Sequence, residues 1–313
     1  MISGRVALVT GGSGFIGTHL SASLARQGCF VHSVSRTTEP REIGRIRHWA
    51  GDLSDLASTR NILSVTRPDI IFHLAGYVSG SRELSSVLPA FRDNLATTLH
   101  LLMAAAELGC QRLILAGSLE EPGPGSSVVI PCSPYAASKL AATAYGQMFH
   151  SLYGLPVVVA RLFMVYGPGQ DDHRKLIPYV ISCLLKNEAP ALTSGYRLVD
   201  WIFVQDVVEG LLAVAQAQGI EGQTIDIGSG NLVSIRHTVE YLVEIVNPNI
   251  RPAFGVLPDR PMEQVRAANI SESKGQTGWY PQTSLAEGLR RTAYWYQRRE
   301  EAGISVAEKE IAQ

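Results

Sequence analysis

The stretch TGGSGFIG at residues 10–17 directly follows the apolar run Val6–Thr10 and precedes a segment with helical spacing. Gly11 suits a tight turn, Gly14 lets a backbone approach a pyrophosphate, and Gly17 lets a helix pack closely on a strand. The same turn would present the unpaired N–H groups of a helix N-terminus to the anion. The stretch therefore predicts a dinucleotide site at the start of a parallel α/β sheet.

Short apolar runs alternate with amphipathic segments after this turn. The strand-like runs are Val6–Thr10, Phe30–Ser35, Ile70–Leu74, Arg112–Ala116 and Val157–Arg161. Such alternation is typical of βαβ units, so we predict an α/β fold with a Rossmann-type doubly wound parallel sheet.

Turn clusters rich in Gly and Pro become frequent after Tyr166, which indicates a second, smaller lobe. We predict a Rossmann domain over residues 1–165, to which residues 200–215 return. A partly interleaved substrate lobe is expected over residues 166–199 and 216–300, and a tail over residues 301–313.

Composition excludes several classes of function. The 313 residues are 46% hydrophobic, enough for a full core, and the formal net charge of −1 offers no general attraction to nucleic acid or an anionic membrane. The four cysteines have no metal-ligand spacing, and no apolar run approaches the roughly 20 residues of a membrane span. We expect a cytoplasmic protein without a metal site, a membrane anchor or a nucleic-acid partner.

The cofactor type is predicted from the end of the second strand. An acidic residue there would bind the ribose hydroxyls of NAD, but this chain has Ser35 and Arg36, which suit a ribose 2′-phosphate. We favour NADP(H), with NAD possible, against the alternative that Arg36 is a solvated surface charge. Asp52 suits either the adenine amine or a helix N-cap.

Tyr135 and Lys139 are four residues apart and share one face of a predicted helix. A nearby ammonium and a positive nicotinamide ring would both lower the pKa of the Tyr135 phenol and make it a competent acid or base. Ser118 follows a predicted strand, where its hydroxyl could polarise a carbonyl. An incidental lysine on an amphipathic helix is the alternative for this spacing.

With these motifs in order, the chain resembles the extended short-chain dehydrogenase/reductase family of NAD(P)-dependent nucleotide-sugar epimerases, dehydratases and 4-ketoreductases. In pattern it is most similar to GDP-4-keto-6-deoxymannose reductases. The matching stretches include TGGSGFIG, YAASK at 135–139, HLAG at 73–76, Asn94 and VYGPG at 165–169.

The resemblance implies a site and an assembly. Ser118, Tyr135, Lys139 and Glu120 take the catalytic positions. The implied cofactor-binding residues are Gly11, Gly14, Phe15, Ile16, Gly17, Ser35, Arg36, Asp52, Leu53, Leu74, Ala75, Gly76, Tyr135 and Lys139. It also implies a homodimer formed through the helices at Leu95–Leu108 and Ser138–Leu152.

Departures from the family pattern bear on the reaction. Glu120 stands where dehydratases have an acid/base, but a similar Ser-x-Glu-Glu stretch occurs in reductases, and capping of the following loop is the structural alternative. Leu119 replaces an acid that dehydratases tend to have, which weakens the dehydratase alternative. Met164 and Val199 replace an Asn and an Arg that help to hold a diphosphate. Met164 and Arg260 are then the two substrate-binding candidates. Arg197 or the cluster at 173–175 could supply further positive charge.

We expect an NADPH-dependent reductase of a nucleotide-linked 4-keto (deoxy)sugar. Ser35 and Arg36 resemble the NADP-preferring members of the family, and an NADP pool that is kept mostly reduced suits the net reduction of a ketone. A nucleotide-sugar epimerase or 4,6-dehydratase is the alternative. A non-catalytic dinucleotide-binding scaffold is a third possibility, against which the intact Ser118, Tyr135 and Lys139 argue.

Overall fold

The structure is a computed structural model that describes residues 2–122 and 130–302. The described residues form two compact units that alternate along the chain. The first unit takes its residues from the ranges 2–163, Val207–Ile227 and Asn269–Tyr280. The second takes its residues from Met164–Asp206, Gly228–Ala268 and 281–302.

The strands found in the described residues are β1 (Val6–Thr10), β2 (Phe30–Ser35), β3 (Arg41–Ile43), β4 (Ile46–Ala50), β5 (Ile70–His73), β6 (Arg112–Ser118), β7 (Val157–Leu162), β8 (Met164–Tyr166), β9 (Leu198–Phe203), β10 (Thr224–Ile227) and β11 (Leu232–Ser234).

The helices of the same part of the chain are α1 (Phe15–Arg26), α2 (Leu56–Thr66), α3 (Val87–Ala90), α4 (Thr97–Leu108), α5 (Pro134–Tyr153), α6 (Leu176–Leu185), α7 (Val204–Gln216), α8 (Ile235–Val246), α9 (Ile270–Thr277) and α10 (Leu285–Glu301). A 3-10 turn at Leu84–Ser86 precedes α3, and a π-helical segment at Phe91–Ala96 leads into α4.

The first unit is built on a sheet in the order β10-β7-β6-β5-β1-β2-β4-β3. All neighbours are parallel except β3 and β4. The order reverses at β1, which pairs with β2 on one side and with β5 on the other. Because ligands of doubly wound sheets bind at such a reversal, the carboxyl ends of β1 and β5 mark the expected site. The predicted Rossmann-type α/β fold is confirmed.

Each unit has its own apolar core. In the first, side chains such as Leu8, Ile71 and Leu113 from neighbouring strands are fully buried with Leu101 of α4. In the second, a three-stranded sheet in the order β11-β9-β8 packs with α6, α8 and α10. Near-continuous apolar runs such as Val157–Ala160 suit parallel strands buried on both faces.

The predicted domain boundaries need correction after residue 199. Residues 200–203, predicted to return to the Rossmann domain, are part of β9, and this strand belongs to the small sheet of the second unit. The chain returns to the first unit at Val207, and β10 then pairs in parallel with β7 at the edge of the large sheet. Asp226 of β10 binds Arg161 of β7 at 2.9 Å, and its carboxylate accepts the amide of Asn269, which explains why 269–280 also joins this unit.

The last helix and the apolar character of the helices bear on the predicted tail and on the membrane expectation. Helix α10 extends to Glu301, and residues 303–313, most of the predicted tail, lie outside the described residues. Of the helices in the described ranges, none has the length and apolar character needed to cross a membrane.

Candidate active site

The glycine-rich turn connects β1 to α1. Gly11 has a φ of +67°, a conformation that favours glycine, and a Cβ there would lie 2.8 Å from the amide nitrogen of Ala75. A Cβ on Gly17 would collide with the carbonyl oxygen of Gly11 and would lie 2.8 Å from the Cα of Gly12. The turn is thus held against both β5 and its own backbone.

The N-terminus of α1 is suited to an anion. Gly14 is its N-cap, no side chain caps it, and its first turn contains no acidic residue. The first amides of a helix point outward without intrahelical partners and carry the positive end of the helix dipole. The residues Gly14, Phe15 and Ile16 therefore fit the pyrophosphate of a dinucleotide.

The turn after β5 lies beside the glycine-rich turn. The amides of Leu74 and Ala75 donate to the carbonyl and the hydroxyl of Thr10, both at 3.2 Å. His73 is buried between two threonine hydroxyls, at 2.8 Å from Thr10 and 3.1 Å from Thr98. Burial, with a smaller effect of the Lys139 charge, lowers the pKa of His73 to about 3, so the ring is neutral and has a structural role.

Asn94 fixes the far side of this turn from the π-helical segment. Its Oδ1 accepts the amide of Tyr77 at 2.7 Å, and its Nδ2 donates to the Tyr77 carbonyl and to the hydroxyl of Ser138 at 2.9 Å. A Cβ on Gly76 would lie 2.5 Å from Asn94 Oδ1. Asn94 thereby ties the Gly76 turn to the helix that contains Tyr135, and π-helical segments are frequent at functional sites.

Arg36, at the end of β2, has a partner that the sequence does not indicate. Its Nη1 lies 3.1 Å from Oδ2 of Asp93, a carboxylate that is 7% exposed. Arg92 binds the same carboxylate through two nitrogens, at 2.7 and 3.3 Å. The two arginines share one buried carboxylate, which holds the Arg36 guanidinium in place, and Asp52 is a second carboxylate close enough to interact with both. The Ser35 hydroxyl makes a short contact with that of Thr38.

Asp52 and Leu53 lie in the loop after β4. Asp52 accepts the amide of Ser54 at 2.9 Å, and this bond is the largest effect that lowers the pKa of Asp52. The N-cap of α2 is instead Asp55, so the alternative of a helix-capping role for Asp52 is wrong. Leu53 is buried, and its carbonyl lies 2.9 Å from Nδ1 of His100.

Ser118, Tyr135 and Lys139 are brought together in the first unit. Ser118 ends β6, and Tyr135 lies in the first turn of α5, where Ser133 is the N-cap and Pro134 follows it. The Tyr135 phenol interacts with the Ser118 hydroxyl, an interaction that lowers its pKa. Lys139, one turn later, lies with its Nζ 2.9 Å from the carbonyl oxygen of Ala116.

The expected effect of Lys139 on Tyr135 needs correction for the protein alone. Burial is the largest effect on the phenol and raises the pKa of Tyr135, and the carboxylates of Glu120 and Glu121 raise it further. Burial also lowers the pKa of Lys139, to about 8. The lysine is engaged by a backbone carbonyl, and the phenol stays protonated at neutral pH.

The two glutamates after Ser118 have different environments. Glu120 is partly exposed, and its carboxylate lies 3.3 Å from the hydroxyl of Ser133, the residue that caps α5. Leu119 is buried. Glu121, which no sequence motif indicates as a site residue, is 1% exposed and accepts the Ser118 amide at 2.6 Å and the Thr143 hydroxyl at 2.8 Å.

The substrate-binding candidates lie in the second unit. Met164 begins β8, pairs with Trp201 and packs against the second core. Arg260 is exposed, in an irregular segment that precedes α9. The other proposed sources of charge bind carboxylates: Arg197 lies 2.8 Å from Glu263, and Arg174 lies 2.8 Å from Asp172.

Comparison with known proteins agrees with this geometry. Residues 7–228 match the model of the NAD dependent epimerase/dehydratase family. The chain is 29% identical to a dTDP-glucose 4,6-dehydratase of Haemophilus influenzae, over 92% of this chain and 97% of the relative.

Two solved structures are similar over nearly the whole chain. A UDP-glucose 4-epimerase of Thermotoga maritima, solved with UDP-glucose, has a TM-score of 0.86 and 25% identity over 94% of this chain and 99% of its own. The enzyme WbmF of Bordetella bronchiseptica, solved with NADH, has a TM-score of 0.83 and 27% identity over 98% of this chain and 95% of its own. The family match covers well over half of the sequence, and the chain therefore belongs to the NAD-dependent epimerase/dehydratase family, within the extended short-chain dehydrogenases.

Proposed function

We propose that this protein is a redox-neutral nucleotide-sugar epimerase, which oxidises one ring hydroxyl and then reduces the ketone on its other face. The observation that carries the proposal is the cluster of Ser118, Tyr135 and Lys139 in the unit that contains the glycine-rich turn. The epimerase is favoured over the dehydratase because buried Leu119 stands where dehydratases tend to have an acid.

Three side chains of the catalytic cluster would have different roles in the reaction. A nicotinamide dinucleotide bound at the glycine-rich turn and the Ala75-Gly76 turn would accept and return the hydride. Tyr135 would take the hydroxyl proton and return it to the ketone oxygen, as a general base and then a general acid. Ser118 would donate a hydrogen bond to the same oxygen, and the Lys139 ammonium would favour the phenolate form of Tyr135 when the proton leaves.

Specific observations support two other reactions. The Glu120 carboxylate is close enough to raise the pKa of Tyr135, so a second acid/base is available for the elimination of water by a dehydratase. Arg36 supports the reductase expected from the sequence, through its preference for NADP(H). The named relatives are a dehydratase and an epimerase, and we therefore rank the reductase below the redox-neutral reactions.

One set of incubations separates the three reactions. The purified protein is assayed for retained dinucleotide and then incubated with UDP-, dTDP- and GDP-sugars, with products followed by proton NMR and mass spectrometry. An epimer without net change in dinucleotide supports our proposal. A product lighter by one water indicates the dehydratase, and NADPH consumption that is stoichiometric with loss of a 4-keto sugar indicates the reductase.

Arg36 is proposed to bind the 2′-phosphate of NADP(H). Replacing it in Arg36→Gln removes charge-assisted hydrogen bonds worth about 1.5–3 kcal/mol, so we expect the preference for NADPH over NADH to fall about 10- to 100-fold in a calorimetric titration. Arg41→Gln changes an exposed arginine of β3 and should leave the preference unchanged. A wild-type protein that binds NADH as tightly as NADPH would contradict this role.

A homodimer is proposed through α4 and α5. Met103 of α4 and Tyr145 and Leu152 of α5 are 37%, 41% and 68% exposed, and no Asp, Glu, Lys or Arg separates Tyr145 from Leu152 along the helix. Burying this apolar surface against the same surface of a second copy would stabilise a symmetric dimer. Sedimentation equilibrium should give twice the chain mass of 33.9 kDa, and Tyr145→Glu should give the monomer mass. A wild-type monomer would exclude the dimer.

A further inference from the structure

Glu121 is a buried carboxyl group that the proposed reaction does not use. It is 1% exposed, follows β6 by three residues and makes two hydrogen bonds to different elements. The Ser118 amide donates to Oε1 at 2.6 Å, and the Thr143 hydroxyl of α5 donates to Oε2 at 2.8 Å. Residues 135, 139 and 143 follow one another at intervals of four along α5, so this carboxylate binds the helix face that contains Tyr135 and Lys139.

The backbone is shaped to receive this carboxylate. A Cβ on Gly117 would lie 2.9 Å from Glu121 Oε1, so a side chain at that position would displace the carboxylate from the Ser118 amide. Burial is the largest effect and raises the pKa of Glu121 above its ordinary value, although both hydrogen bonds and the charges of Arg161 and Lys139 lower it in part. Arg161 is itself paired with Asp226, which leaves Lys139 as the neighbouring cation of the catalytic cluster.

The groups that face Lys139 come from three elements. His73 of β5 is neutral, Tyr135 of α5 is protonated, and the Ala116 carbonyl of β6 accepts from Nζ. Glu121 is the charge that favours the ammonium against burial. An isolated buried ammonium readily loses its proton, so the charge state of this lysine depends on its counter-charge.

We propose that Glu121 is a positioning residue, whose buried carboxylate fixes the Ser118 amide to α5 and is the counter-charge of Lys139 on the same helix face. The inference rests on the proposed function only in the use of Lys139, because the charge pair itself can be measured without substrate. It gives a role to the second of two adjacent glutamates, where the family resemblance assigned only Glu120.

The test is a pH titration of Lys139 by NMR on the full chain labelled with ¹³Cε-lysine. The sequence contains five lysines, so the spectrum is simple, and Lys139→Met identifies the resonance. Glu121→Gln keeps the shape of the side chain and removes the charge. We expect the pKa of Lys139 to fall below its wild-type value, because glutamine lacks the negative charge that favours the ammonium against burial.

Two matched variants separate charge from structure. Thr143→Val removes one hydrogen bond of Glu121 but keeps its charge, and Glu120→Gln makes the same chemical change one residue earlier. Both should leave the pKa of Lys139 at its wild-type value. A Lys139 pKa that is unchanged in Glu121→Gln, or that falls equally in Glu120→Gln, overturns the proposal.

If Glu121→Gln does not fold, Lys139→Met tests the same pair from the other side. Titration of ¹³Cδ-labelled glutamates should then show a pKa for Glu121 above its wild-type value, and an unchanged pKa overturns the proposal. Neither titration involves turnover. A protein that proves inactive on every nucleotide sugar would end the proposed function and leave the charge pair intact.

Discussion

Replacing Tyr135 with phenylalanine is expected to lower turnover of the nucleotide sugar by about 10²- to 10⁴-fold, the usual contribution of a positioned general acid or base. The phenol is the proton-transfer group that interacts with Ser118, and phenylalanine keeps the ring and its burial while removing the oxygen. The loss should appear in kcat, because the hydroxyl gives up or accepts a proton in the chemical step and contributes little to binding of the substrate.

The control for this variant lies on the same helix. Tyr145→Phe removes a phenol oxygen ten residues later, from a side chain that is 41% exposed, and should leave kcat unchanged. Dinucleotide affinity should be the same in Tyr145→Phe and the wild type. Turnover by Tyr135→Phe at the wild-type rate would remove Tyr135 from the mechanism and would favour the non-catalytic scaffold.

The pH dependence of the same step follows from the burial of the phenol. Because burial raises the pKa of Tyr135, the phenolate that accepts the proton is the minor form at neutral pH. The rate of the oxidation step should therefore increase with pH across the neutral range, while the reverse step, which needs the protonated phenol, should not. Single-turnover measurements from pH 6 to 9 test this direction.

The parts of the molecule that the sequence predicts are those specified by local patterns. The glycine spacing at 11, 14 and 17 has a local geometric requirement, and Tyr135 and Lys139 are related by helix periodicity. The edge strand β3 is not predicted, because its three exposed residues have no apolar alternation. Strand β10 is not predicted either, because Thr224 and Asp226 leave it without the continuous apolar run that indicates the equally short β5.

The contacts that the sequence could not predict join residues that are far apart or locally equivalent. The Arg36–Asp93 ion pair spans 57 positions, and nothing near Arg36 indicates a buried carboxylate. Glu120 and Glu121 are identical in type, and only the direction of the turn after β6 determines which one is buried. The same reason explains the raised pKa of the Tyr135 phenol in the protein alone, because burial depends on the whole fold and outweighs a neighbour four residues away.

The second large effect is expected at Gly17, where alanine should disrupt the glycine-rich turn. A Cβ there meets the Gly11 carbonyl oxygen and the Gly12 Cα, and both are backbone atoms that no rotamer change can move. Opening the turn would misalign the amides of α1 that fit the pyrophosphate. A hydrogen bond to a charged group contributes about 1.5–3 kcal/mol, so losing two should weaken dinucleotide binding by about 100-fold or more.

A matched substitution distinguishes this effect from any glycine-to-alanine change. Gly275 lies in α9, where an added Cβ would meet no atom within 4 Å, and Gly275→Ala should keep full affinity and raise the melting temperature through better helix propensity. Gly17→Ala should gain the same propensity in α1 but lose more from overpacking, about 1–3 kcal/mol. Calorimetric binding and thermal unfolding of the two variants measure both quantities. The Cβ of Gly17→Ala must displace the backbone of the turn, and a pyrophosphate bound to the amides of that turn would lose its hydrogen bonds. If Gly17→Ala nevertheless binds the dinucleotide as tightly as Gly275→Ala does, the glycine-rich turn is not the pyrophosphate site.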